Sequence, residues 1–129
     1  MTPAELLAYA DRLLQGIGIA GDTSRLAALL ARQALEMIVN ERCVALGADC
    51  SRASMRSRLA VVRALDDRNV ADALTSLWHQ LSACCHQHAY ELSPTTAEVR
   101  ELCDRVSLAV PSRDEKGSRT SDPTLCSQR

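Results

Sequence analysis

Phenylalanine is absent from the chain, and one tryptophan and two tyrosines are its only aromatic residues. A core without aromatic bulk is built from Leu, Ala, Val, Ile and Met. Such a core suits helices packed closely through small residues rather than sheets, which favour aromatic and β-branched side chains. Lysine occurs once, at Lys116, and the formal net charge is only −1. That balance removes any general electrostatic case for nucleic acid or an anionic membrane surface. No apolar run approaches the roughly 20 residues that span a bilayer. The opening residues MTPAELLAYADRLL carry acids and lack the apolar segment of a secretory leader. A cytoplasmic location follows as an expectation, and with it reduced thiols for the six cysteines. Most of those cysteines lie inside helical patterns, where a small apolar side chain packs well.

What is present is helical periodicity, set off by cap signals. Thr2-Pro3-Ala4-Glu5 opens a first helix by a capping box, its apolar stripe is Leu6, Leu7, Ala10, Leu13 and Leu14, and Gly16 closes it. The Gly-rich link at 16–21 lacks the preceding strand and following Lys-Ser/Thr of a phosphate loop, so it reads as a connector. A second helix is predicted over Ser24 to Leu46, capped by Asp22 or Thr23 and closed by Gly47. Ala27, Leu30, Ala31, Ala34, Leu35, Ile38 and Val39 form its wide apolar surface, and Arg25, Arg32, Glu36 and Arg42 its polar side. Arg32 and Glu36 stand four apart, the spacing of an ordinary surface ion pair. A third helix spans Ala53 to Leu65 behind Ser51 or Ser54. It is the most basic segment, with Arg52, Arg56, Arg58 and Arg63, which suits a solvated face or a phosphate-binding strip.

The fourth helix is predicted over Val70 to Glu91, behind Asp67 or Asn69. A fifth follows Ser93 or Thr95, with Thr95 and Glu98 as a second capping box and Val99, Leu102, Cys103, Val106 and Val110 facing inward. From Pro111 the composition turns to Ser, Arg, Asp, Lys and Gly, so residues 1–110 form one helical domain and 111–129 a disordered polar tail holding Cys126.

The chemistry concentrates in the stretch from Leu74 to Glu98, which holds the only Trp, all three His and the adjacent Cys84 and Cys85. Leu74, Leu77, Trp78, Leu81, Cys84 and Cys85 read as its apolar face. His79, Ser82, His86 and Tyr90 fall on a second face. His79 and His86, two turns apart, could transfer protons near neutral pH, as in phosphodiester cleavage. His88, nearer the apolar side, reads as a core residue. A zinc site would need Cys84 or Cys85 with His88 and two more ligands, such as Cys43 and Cys50. The short Cys-x-x-Cys knuckle of most structural sites is missing, so no metal and no cofactor is assigned. Cys85 and His86 point about 100° apart on a helix, which argues against a nucleophilic dyad.

The stretches RLAALLARQALEMIV at 25–39 and LWHQLSACCHQHAYELSPTTAEV at 77–99 resemble the early and late helices of the HEPN superfamily of small helical bundles, and the likeness covers most of 4–110. It implies an all-α, up-and-down bundle of four or five helices, often a homodimer. Many members are metal-independent ribonucleases of toxin–antitoxin, abortive-infection or CRISPR-linked systems, using an Arg and a His separated by four to six residues. His86 matches that His, but positions 79–81 hold His79, Gln80 and Leu81, so the motif's Arg is missing. A protonated His79 would supply a cation without the fork of a guanidinium. Members without the motif act as binding or scaffold domains. The expected function is therefore a non-catalytic interaction module of a defence, toxin–antitoxin or stress-response system. Its partners would be a second copy, an antitoxin or a nucleotidyltransferase, or RNA, and not a membrane. His86, His79 and Ser82 are the candidate catalytic residues, and Arg32, Glu36, Arg56 and Tyr90 the candidate binding residues. The alternatives are a ribonuclease built on His86, with His79 or an Arg from another helix, and a zinc-stabilised regulatory protein.

Overall fold

The computed structural model describes residues 1–16, 22–50, 52–86 and 94–111, with Asp22 described by its backbone alone. These residues form five helices: α1 (Pro3–Gln15), α2 (Asp22–Ala45), α3 (Met55–Leu65), α4 (Arg68–Cys85) and α5 (Thr96–Ala109). No strand occurs among the described residues, and no helix there is long and apolar enough to cross a membrane. The tail at 112–129, Lys116 and Cys126 included, lies outside the described residues, as do Ser51, His88 and Tyr90.

Side chains three residues away settle most of the helix starts. Thr2 accepts from the Glu5 amide at 3.2 Å, while Glu5 accepts from the Thr2 amide at 2.8 Å. Ser54 accepts from the Ser57 amide, and Asp67 takes those of Asn69 and Val70. Thr95 and Glu98 complete the second reciprocal box, at 3.1 and 3.2 Å. Each such box occupies two amides that the helix cannot satisfy from within. Replacing Thr95 by Ala is expected to cost about 1 kcal/mol of stability, the usual worth of an N-cap, and urea unfolding of the two forms measures it. At the far end of α2, Gly47 adopts φ +82, the left-handed conformation that closes a helix without a side-chain clash.

Side-chain contacts fix the helix directions. Arg32 of α2 lies over Trp78 of α4, with Arg25 on the side of Cys85, so α2 and α4 run antiparallel. Ser24 and Thr96 meet at 3.4 Å at the start of α2 and α5, so these two run parallel. Arg105 reaches Gln80, and Glu98 sits on the Cys84 side of α4, so α4 and α5 are antiparallel. Four helices thus form an up-and-down bundle, in which α2 touches each of the other helices while α1 and α4 do not meet. Ala27, Ala28, Ala31 and Ala34 are fully buried, and these small side chains let neighbouring helices approach α2 closely. Leu35, Ile38, Val39, Leu74, Leu77, Leu81, Val99 and Val106 fill the centre.

α3 lies across the bundle end. Arg58 and Asp66, at its two ends, both reach the last turns of α2: Cys43 Sγ donates to the Arg58 carbonyl at 3.6 Å, and Arg42 Nε donates to Asp66 Oδ2 at 2.6 Å. Arg58 Nε in turn donates to the Cys50 carbonyl at 3.0 Å, which ties the intervening loop to α3. Leu59 and Val62 are buried, whereas Leu65, at the end of α3, is 57% exposed.

One helix ends earlier than its periodicity suggests. α4 stops at Cys85, and His86 caps it in an extended conformation at ψ 129, whereas the pattern predicts helix to Glu91. Ser82, Cys84, Cys85 and His86 are all modest helix formers. The predicted remainder, at 87–91, lies outside the described residues.

Candidate functional site: the α2–α4 seam

Arg25 and Arg32 lie two turns apart on α2, and Trp78, Ser82 and Cys85 form a matching stripe on α4. At about 100° per residue this stripe flanks the buried Leu74–Leu77–Leu81 ridge and borders α2. The Arg32 guanidinium carbon stands 4.3 Å from the centroid of the Trp78 ring. Such a cation–π contact is worth about 0.5–1 kcal/mol when exposed, and about 2 or more when desolvated. Glu36 Oε1 is 3.8 Å from Arg32 Nε, an ion pair too long for a hydrogen bond, with both side chains partly exposed.

The same guanidinium donates toward the Cys85 thiol, and the charge of Arg25 also acts on it. Burial pushes the Cys85 thiol up, and this outweighs the pull of the two arginines in the other direction. The thiol therefore stays protonated at neutral pH and leaves the arginine charge unquenched. It is a weak nucleophile for the same reason.

Three polar groups on this seam are unpaired. Nε of Arg25, Nε of Arg32 and Oγ of Ser82 are each shielded from solvent, and none makes a hydrogen bond among the described residues. A shielded donor without a partner costs about 1–3 kcal/mol, and more when charged. The other such atom among the described residues, Asn40 Oδ1, lies further along α2.

The histidines stand outside this cluster. His79 is exposed on α4, and neither its imidazole nor that of His86 has a hydrogen bond or ion pair among the described residues. His86 is exposed, and its backbone N–H donates to the Ser82 carbonyl at 3.1 Å. The helix break at His86 removes the regular two-turn spacing expected to align it with His79.

Of the expected binding residues, Arg32 and Glu36 belong to the seam. Arg56 does not: it is exposed on α3, whose contacts with α2 centre on Arg42 and Cys43, about three turns, or ~16 Å, along α2 from Arg32. Tyr90 and His88 lie outside the described residues. The same distance divides the thiols that a zinc site would need to combine. Cys43 and Cys50, both free thiols, sit together at the end of α2 and are hydrogen-bonded to each other, whereas Cys85 faces the opposite half of that helix. Among the described residues no three or more His, Cys, Asp or Glu converge to hold a metal ion.

No family model, curated protein or solved structure matches the chain. What the site can do is therefore argued from its own groups. Arg25, Trp78 and Cys85 join the seam although the sequence marks Arg25 only as a polar-side residue and Trp78 and Cys85 as part of an apolar face. The signal available for them was the shared seven-residue spacing, Arg25 to Arg32 on one helix and Trp78 to Cys85 on the other.

Proposed function

We propose that the chain is a non-catalytic, HEPN-like binding module whose working face is the α2–α4 seam. The observation that carries this reading is the set of unpaired donor atoms on Arg25, Arg32 and Ser82, while the imidazoles of His79 and His86 have no hydrogen bond or ion pair among the described residues. A general acid–base pair needs positioned groups of matched pKa, and a recognition surface needs directed donors. Leu26 and Leu29, 46% and 41% exposed in the same turns of α2 as Arg25, add apolar area of the kind that partner surfaces use. A second copy of the chain is the proposed first partner. An antitoxin, a nucleotidyltransferase or RNA is the class of further partner, in a defence or stress-response setting.

A second reading is favoured by one specific contact. Cys85 touches Arg32, and His86 follows it directly, so an arginine of α2 could stand in for the one missing from α4. That arrangement would be a metal-independent ribonuclease. Incubating the purified chain with RNA in a chelator separates the two. The expected result is no cleavage above that of a His86→Ala control. Cleavage that disappears in His86→Ala, by the 10²–10⁴-fold typical of lost proton transfer, would establish the enzyme instead.

A further inference from the structure

The corner where α2 gives way to α3 brings two thiols together. At the end of α2 the Gly47 amide donates to the Val44 carbonyl at 3.0 Å and the Ala48 amide to the Cys43 carbonyl at 2.9 Å. With Gly47 in its left-handed conformation, this pair of bonds turns the chain back over the last turn of the helix. Two residues further on stands Cys50. Its carbonyl accepts from Arg58 Nε at 3.0 Å and from the Ala53 amide at 3.0 Å, while Cys43 Sγ donates to the Arg58 carbonyl at 3.6 Å. One residue of α3 thus holds both cysteines, and their side chains are hydrogen-bonded to each other. Both are free thiols. The remaining described cysteines are placed differently. Cys84 and Cys85, adjacent on α4, point about 100° apart, and Cys103 lines a groove between α1 and α5 beside Asp11 and Asp104.

We propose that Cys43 and Cys50 are a redox clasp: a hydroperoxide converts them to an intrachain disulfide that locks the end of α2 to the loop in front of α3. Cys50, the loop member, keeps 7% of its surface exposed, whereas Cys43 is fully buried. Burial, with the hydrogen bond to Cys50 adding to it, pushes the Cys43 thiol up. The thiolate is the reactive form, so Cys50 is the thiol that meets the oxidant and Cys43 the one that resolves. The Cys50 sulfur attacks one peroxide oxygen, the O–O bond breaks, and the other oxygen leaves as an alcohol or water with the thiol proton. Cys50 is then a sulfenic acid. The Cys43 sulfur displaces its hydroxyl: the S–S bond forms, the S–O bond breaks, and the hydroxyl leaves with the Cys43 proton as water. Two thiols lose one electron each, and the hydroperoxide gains two. Oxidation also removes the S–H that Cys43 donates to Arg58, so a weak bond from α2 to α3 gives way to a covalent one from α2 to the loop. The clasp stands ~16 Å along α2 from Arg32, separate from the seam, and does not rest on the binding-module reading.

The full chain, reduced and then freed of reductant, is treated with hydrogen peroxide at neutral pH. Remaining thiols are alkylated in denaturant before digestion with trypsin. Arg42 and Arg52 flank the pair with no Lys or Arg between them, so a single peptide, 43–52, carries both cysteines. That peptide should be recovered unalkylated and lighter by two hydrogens, and dithiothreitol should restore both thiols. The peptides that hold Cys84 with Cys85, and Cys103, should stay alkylatable at the peroxide dose that converts it. The oxidised chain should melt about 5–10 °C above the reduced one, the effect of a native-compatible cross-link on a domain of this size. Cys50→Ser should abolish both the loss of two hydrogens and the melting shift, with an unchanged far-UV circular dichroism spectrum. If Cys50→Ser were unfolded, the peptide map of the parent chain would decide. Full alkylation of peptide 43–52 after peroxide would overturn the proposal. So would oxygen added at Cys50 without a disulfide, conversion of the other thiols at the same dose, or a melting temperature that the disulfide leaves unchanged or lowers.

Discussion

Leu35→Ala is expected to lower the unfolding free energy by about 2–5 kcal/mol, a large share of the ~5–15 kcal/mol that holds a domain of this size. Leu35 is 0% exposed at the middle of α2, and Ala31 and Ala34, just before it on the same helix, are also fully buried. Small neighbours cannot swing in to fill the space, so truncation leaves a cavity rather than a collapsed site. The cost then includes the missing contacts of the cavity wall as well as the lost transfer energy. Urea denaturation followed by Trp78 fluorescence checks this: the midpoint should fall while the slope stays unchanged. Leu108→Ala serves as the reference. Leu108 is 86% exposed, and its truncation should fall within about 0.5 kcal/mol of the parent. Equal effects at the two positions would mean that the alanine-lined centre is not where the stability resides.

Asp66→Asn should cost about 1–2 kcal/mol at neutral pH and flatten the acid side of the stability profile. The Arg42 hydrogen bond at 2.6 Å holds the Asp66 carboxyl below its ordinary value; burial opposes this, and the Asp67 amide assists it. In the unfolded chain the carboxyl regains a pKa near ~4. The unfolded state therefore takes up the proton first as pH falls. The pair's contribution is fully present above about pH 4 and is lost progressively as pH drops through the lower folded value. Melting the parent and variant between pH 3 and 7, at roughly one-unit steps, tests the sign. The gap between them should be widest near neutrality and close in acid. A gap that widened in acid would contradict the assignment. Because this pair fastens α3 across the end of α2, its loss should loosen that corner first.

Local rules made much of this fold readable. Thr2 with Glu5, Ser54, Asp67, and Thr95 with Glu98 act over three residues at most, so their type and spacing suffice to place a helix start. The inward faces of α2 and α5 follow from periodicity for the same reason. Features set by distant neighbours were not readable. The stripe on α4 runs on past Cys85 as a pattern, but the helix turns out at His86. The crossing of α3 over the bundle end depends on Arg42, Cys43, Arg58 and Asp66 meeting from separate segments, which no window of sequence shows. The seam divides in the same way. Arg32 and Ser82 stood out as polar residues on helical faces. Trp78 and Cys85 were assigned to the core because they are apolar, whereas each sits at its edge, in contact with an arginine from another helix.

The central place of α2 has a consequence for how the molecule comes apart. In a solenoid, an end repeat can detach while the rest keeps its core, since each unit leans only on its neighbours. Here every other helix leans on α2, and the arginines of the seam belong to that same helix. Shedding any one helix exposes the part of the α2 surface that it covers. The seam and the folded state are consequently coupled: anything that bound the α2 side of the seam only in the folded chain would stabilise the whole domain.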